Sequence, residues 1–202
     1  MTDIALPGLE VRVTPAGHGK QPETERSMLD RLRVRYGRTY RNGTYEGRQF
    51  VIAEKVPTSP GAFAGDRIAD AVVLDTWSAP YDDLTDAEKT SRSWGARQSI
   101  HGFEVKVSRA DWLTELRDPE KADAWARYCH YFWLAAADRH IVRDDLPAGW
   151  GLMVPHGPGL RVVVRAVRRT PEPMPTPIIV SLARAVQKTE TAIALTRQAV
   201  AS

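Results

Sequence analysis

The chain has 202 residues, 43% hydrophobic and 26% charged, with a formal net charge of +3; these are globular proportions, and the length allows a core without disulfides or a structural metal. Its single cysteine, Cys129, excludes an intramolecular disulfide and any multi-cysteine zinc site, and points to a reducing compartment. No apolar run approaches the roughly 20 residues that span a bilayer, and Asp3 interrupts any signal-peptide pattern, so a cytoplasmic protein with no membrane partner is expected.

Residues 1–21 mix Pro, Gly and short apolar pieces and read as an N-terminal arm. Thr24 is placed to cap a helix in which Met28, Leu29, Leu32 and Tyr36 recur at helical spacing up to Gly37. A strand is expected over Gln49–Val56 and another over Arg67–Asp75, the second apolar on both faces apart from Asp70, as in a strand covered on both sides. Residues 79–98 are polar and read as an inserted turn or short helix, after which Ser99–Val107 resumes the strand pattern. A short helix from Ser108 or Asp111 to Asp118-Pro119 precedes a longer one expected from Glu120 to Ala137, with Tyr128, Tyr131 and Phe132 inward and Cys129 in its middle. Trp150–Val154 and Leu160–Val167 read as two further strands. Four prolines at 171, 173, 175 and 177 then predict a stiff 170–177 linker, and 178–202 an amphipathic helix with Leu182, Val186, Ile193 and Leu195 on its apolar stripe. The main domain is thus bounded at 22–169, an α/β fold on a mixed sheet.

Asp70, Glu104 and Lys106 are charged residues in otherwise apolar strands. Alternation puts Glu104 and Lys106 on one strand face, about 6.6 Å apart at a rise of ~3.3 Å per residue. A charge buried there costs several kcal/mol unless it is paired or bound to a metal. Two readings follow: a structural ion pair of Lys106 with Glu104 or Asp70, or two carboxylates holding Mg²⁺ or Mn²⁺ beside an ammonium that acts on a bound water.

The pattern Asp70, then Glu104-Val105-Lys106, within an αβββαβ order, resembles the PD-(D/E)XK nuclease superfamily. The stretches Arg67–Ala71, His101–Trp112 and Asp118–Asp123 are similar to the MmcB-like DNA repair endonucleases and related phage proteins, a resemblance covering about residues 22–168. It implies a restriction-endonuclease-like fold, a mixed central sheet flanked by helices, here with an added C-terminal helix. It also implies metal-dependent hydrolysis of DNA phosphodiesters in repair, recombination or phage DNA metabolism. By this resemblance Asp70 and Glu104 hold the metal, Val105 adds its backbone carbonyl and Lys106 acts on the attacking water. Glu25 from the first helix and Lys121 from the helix after the third core strand complete the set. The usual Pro before the Asp is Ala69 here.

Six lysines leave 22 arginines among the 28 basic residues, a bias as compatible with a GC-rich genome as with function. Arg31, Arg35, Arg38 and Arg109 are the expected DNA-phosphate contacts, the alternative being a solvated basic face. Two other roles stay open: a catalytically inactive nuclease fold that binds DNA or a protein, and an assembly protein that forms a homo-oligomer through its C-terminal helix. His101 faces away from Glu104 and reads as a core or interface residue, and His130 as a packed or surface histidine rather than a ligand. No Gly-rich phosphate loop or G-x-S-x-G elbow is present.

Overall fold

A computed structural model describes residues 22–37, 39–42, 45–61, 66–77, 83–91 and 97–201. The first helix, α1 (Glu25–Tyr36), opens with a reciprocal cap: the Thr24 hydroxyl accepts from the Ser27 amide and the Ser27 hydroxyl from the Thr24 amide. Its apolar face buries Met28, Leu29, Leu32 and Tyr36. A small antiparallel ribbon follows, β1 (Thr39–Asn42) with β2 (Tyr45–Arg48). Four-residue strands without apolar alternation leave little sequence signal, and none was expected there.

The main sheet holds six strands in chain order: β3 (Phe50–Pro57), β4 (Ile68–Asp75), β5 (Ser99–Lys106), β6 (Tyr131–Ala136), β7 (Gly151–His156) and β8 (Gly159–Val164). Strands β3, β4 and β5 form an antiparallel meander, β5, β6 and β7 run parallel, and β8 returns antiparallel. Between β4 and β5 lies the short helix α2 (Asp86–Thr90), and the crossover from β5 to its parallel neighbour carries α3 (Arg109–Leu116) and α4 (Pro119–Ala126). The expected αβββαβ order is therefore present in α1, β3, β4, β5, α3 with α4, and β6.

The long helix expected over Glu120–Ala137 is corrected. Helix α4 stops at Ala126, and Tyr131–Ala136 is a strand whose six residues are all buried. A central parallel strand is apolar on both faces, so its sequence lacks the alternation that separates a strand from a buried helix. Tyr131 and Phe132 do face inward, but toward opposite sides of the sheet: Tyr131 and Trp133 pack with α1, Phe132 and Leu134 with α3 and α4. Cys129 lies past the end of α4, buried, and burial pushes its thiol pKa up to about 12, the property of an inert packing group.

The C-terminal helix α5 (Thr176–Ala201) starts inside the expected linker. Pro175 offers its carbonyl to the Ile178 and Ile179 amides, and Pro177 sits in the first turn, where no amide donor is needed. The segment before it is tied to the main domain by Arg169 N to His130 O and Glu172 N to Arg127 O, both 2.8 Å. Ile178, Leu182 and Ala185 join the core under α3 and α4. At the sheet edge the Glu54 amide donates to the Thr189 hydroxyl at 3.0 Å, so α5 covers β3 rather than standing off as an arm. Among the described residues no helix is long and apolar enough to cross a membrane.

Candidate active site

The meander brings the singled-out charges together at one end of the sheet. The β4–β5 ladder pairs Ala71 with Phe103, so the next step sets Asp70 opposite Glu104. On its other side, the β3–β4 ladder pairs Glu54 with Ala71 and Val56 with Ala69, leaving Lys55 opposite Asp70. Lys55, Asp70 and Glu104 thus form a row across three strands.

Asp70 is held by both neighbours. Its Oδ2 accepts from the Val105 amide at 2.8 Å, and its Oδ1 from Lys55 Nζ at 2.6 Å. The same ammonium lies 2.5 Å from Oε1 of Glu25, in the first turn of α1. Lys106 makes the second cluster: its Nζ is 2.8 Å from Glu115 Oε2 on α3 and 3.3 Å from Glu104 Oε2, and all three side chains are buried. Burial works against each ammonium, yet Asp70 and Glu25 around Lys55, and Glu104 and Glu115 around Lys106, outweigh it and raise both lysine pKa values. Both lysines are therefore cations at neutral pH. Lys106 can donate to and orient a water or phosphate oxygen, but it has no vacancy for a proton.

Lys55 has φ 53, a left-handed backbone that side chains of this size seldom adopt. The side-chain alternation breaks there: Ala53 and Val56, three apart, enter the same core, as do Ala69 and Val72 on β4. Lys55 and Asp70 lie where the two strands turn over, and the turn lets Lys55 reach Glu25.

Asp70, Glu104, Val105 and Lys106 come together, and Glu25 joins through Lys55. Val105 contributes its amide to Asp70, while its side chain packs under α1. The Lys121 side chain and Arg38 lie outside the described residues. Arg31 is bound to both oxygens of Glu23 and to the Gly157 carbonyl, Arg35 to the Leu160 carbonyl and the Tyr36 ring, and Arg109 to Asp145 and the Ile141 carbonyl. These three guanidiniums clasp elements of the fold together. Sequence reasoning missed Lys55 and Glu115. Glu115 stands three residues after the buried Trp112, on the helix face that turns to the core, which was its one signal.

Carboxylate oxygens are the donors a hard divalent cation takes, but those of Asp70 and Glu25 already share one positive charge, the Lys55 ammonium, through one oxygen each. Among the described residues no three His, Cys, Asp or Glu side chains are gathered as a metal centre.

At the opposite end of β4 and β5, about 16 Å along the strand from Asp70, a cavity of about 700 Å³ is lined by Asp75, Ser99, His101, Tyr131 and Trp133 among others. Ser99 Oγ and His101 Nε2 are 2.9 Å apart, the spacing of a nucleophile and its base. The Trp133 indole donates to His101 Nδ1 at 3.1 Å, however, and an indole can only donate, so the proton of the neutral ring is on Nε2. Burial lowers the His101 pKa to about 3, helped by His130 and nearby arginines. The ring cannot take the serine proton, and the pair is structural.

No family model matches the chain, and no curated protein matches it. Among solved structures the chain is similar to SPO1766, a protein of unknown function from Silicibacter pomeroyi, at 18% identity and a TM-score of 0.44 over 88% of each chain.

Proposed function

We propose that the chain is a Mg²⁺- or Mn²⁺-dependent deoxyribonuclease of the PD-(D/E)XK type. The observation that carries this reading is the convergence of Asp70 with Glu104, Val105 and Lys106 at adjacent strand ends, with the Val105 amide fixing the Asp70 carboxylate. Asp70 and Glu104 would hold the metal, with Glu25 within reach. When bound, the ion supplies charge stabilisation at the scissile phosphate and a water acidic enough to attack it. The Val105 amide keeps one Asp70 oxygen oriented, Glu115 and Glu104 hold the Lys106 ammonium in place, and Lys106 donates to the attacking water or a non-bridging phosphate oxygen. Purified protein is expected to cleave DNA with Mg²⁺ or Mn²⁺, to stop with EDTA, and to lose cleavage in Asp70→Asn and Lys106→Met variants that still fold.

A second reading has its own observation in favour. Each of these carboxylates already has an ammonium beside it, Lys55 for Glu25 and Asp70 and Lys106 for Glu104 and Glu115, as it would in a nuclease fold kept only to bind DNA or a protein. Mn²⁺ titration separates the two, since a binding module of this kind has no Asp70-dependent metal affinity.

A further inference from the structure

We propose that the 700 Å³ cavity at the Asp75–Ser99 end of β4 and β5 is a binding site for a purine nucleotide, its base held by Asp75 and Ser99 and its phosphate by Arg165. The site lies about 16 Å along the strand from Asp70 and stands whether or not the chain is a nuclease. Three observations carry it.

First, Asp75 is a carboxylate only 5% exposed, and every partner it has among the described residues is neutral. The Gln49 side-chain amide donates to its two oxygens at 3.2 and 3.3 Å, and the Trp77 amide to Oδ1 at 3.0 Å. A charge withdrawn from water is costly without a group that answers it. The buried carboxylates Glu104 and Glu115 each face an ammonium, whereas Asp75 faces the cavity. It is placed to accept from the N–H groups of a ligand.

Second, Ser99 stands directly opposite Asp75 in the β4–β5 ladder, and its hydroxyl has a fixed sense. The Trp133 indole donates to His101 Nδ1, so Nε2 carries the hydrogen and donates to Ser99 Oγ at 2.9 Å. The hydrogen of the hydroxyl itself has no acceptor among the described residues. An acceptor and a donor therefore sit side by side on the cavity wall, the complement of the adjacent donor and acceptor on the pairing edge of a nucleobase.

Third, the rest of the lining suits a flat ring followed by an anion. Tyr36, Phe50, Tyr131 and Trp133 make an aromatic wall on which a ring packs by stacking or edge to face. Arg165, just past the end of β8, lines the same cavity, is exposed and has no ion pair among the described residues. The other two charges on the wall are engaged, Arg35 by the Leu160 carbonyl and Asp83 by the Tyr131 hydroxyl. Strands β5 and β8 are three strand spacings apart, about 14 Å, so a ligand that touches both Ser99 and Arg165 carries its hydrogen-bonding edge and its charge at opposite ends. A nucleotide is built that way, and the cavity has the volume usual for ligands of that size.

A free nucleotide and the same unit in a DNA strand share this chemistry. The test is calorimetric titration of the full chain with AMP, GMP, adenosine, guanosine and a short single-stranded oligodeoxyadenylate. It is run in EDTA, without the metal that the proposed function calls for, so its failure leaves that reading untouched. At least one of the two mononucleotides is expected to bind, Asp75→Asn to weaken it about tenfold or more, and Arg165→Ala to weaken it about two- to fivefold while leaving the matching nucleoside unchanged. Arg165 is exposed, so Arg165→Ala keeps the test valid if Asp75→Asn fails to fold. An oligonucleotide that displaces the mononucleotide assigns the site to a nucleotide within a strand, and one that does not assigns it to the free molecule; both support the site. No binding of any of the five at millimolar concentration would overturn it. So would binding indifferent to both substitutions, or to Arg165→Ala alone where Asp75→Asn does not fold.

Discussion

Lys106 shows how far a single residue can be argued from its surroundings. It is one-tenth exposed between two nearly inaccessible glutamates, and its removal leaves Glu104 and Glu115 as buried like charges. Breaking a buried ion pair from one side costs about 3–5 kcal/mol. Lys106→Met is therefore expected to lose that much stability in urea unfolding at pH 7, and Glu115→Gln added to it should recover part of the loss. A Lys106→Met protein as stable as the parent would show that the triad is solvated. The residues that form this end of the sheet were legible to different degrees. Asp70, Glu104 and Lys106 stood out because each interrupts an apolar strand. Lys55 did not, because its role depends on a backbone dihedral no pattern encodes, and Glu115 needed the packing of α3 against β5 to acquire a partner.

At the scale of elements, α5 and α1 carry the clearest consequences. Helix α5 supplies Ile178, Leu182 and Ala185 to the core and a hydrogen bond to the edge of β3. Each large apolar side chain buried is worth about 1.5–3 kcal/mol, against a total stability of only about 5–15 kcal/mol. Truncation after Thr170 is expected to abolish cooperative thermal unfolding, and a folded, cleaving truncation would restore the reading of a separable arm. Arg31 and Arg35 fasten α1 to the β7–β8 turn and to β8. Replacing both with Met is expected to lower the melting temperature while leaving the salt dependence of DNA binding unchanged. A log-log slope reduced by roughly 0.9 per arginine would assign them to phosphates instead. Periodicity gave α1, β3, β4 and β5 to within a residue or two, because each has one buried face or a clear boundary. It failed at β6, where burial on both faces erases the period; at α5 it showed the helix and its amphipathic stripe but not the surface on which the stripe docks.

For the whole molecule, two half-buried histidines make stability depend on pH. Burial, with nearby arginines adding to it, lowers His101 to about 3 and His130 to about 4, against about 6.5 in the unfolded chain. As pH falls below 6.5 the unfolded state takes up protons that the folded state refuses, so stability declines from there down to about pH 4, by about 1.4 kcal/mol per pH unit for each histidine. A second decline follows at lower pH. Arg168 holds Glu88, and Arg109 holds Asp145, down to about 2, so what these carboxylates contribute is present above their unfolded values near 4 and is lost as pH falls toward 2. Melting temperatures are expected to drop between pH 7.5 and 4.5. His130→Asn, which keeps an acceptor for the Ile100 amide, should reduce that drop by about half, since one of two such groups is removed. A flat profile over this range would mean that both rings titrate normally in the folded protein.

The αβββαβ core brings Asp70 and Glu104 to neighbouring strand positions, where the proposed function has them hold a metal that activates water against DNA. The most direct measurement is cleavage of linear and supercoiled DNA with Mn²⁺ by the full chain beside its Asp70→Asn variant, each shown to fold by its thermal transition. Mn²⁺-dependent cleavage that EDTA stops and Asp70→Asn abolishes is the expected result; cleavage surviving in Asp70→Asn, or no cleavage by the unsubstituted chain with either Mn²⁺ or Mg²⁺, would contradict the proposed function.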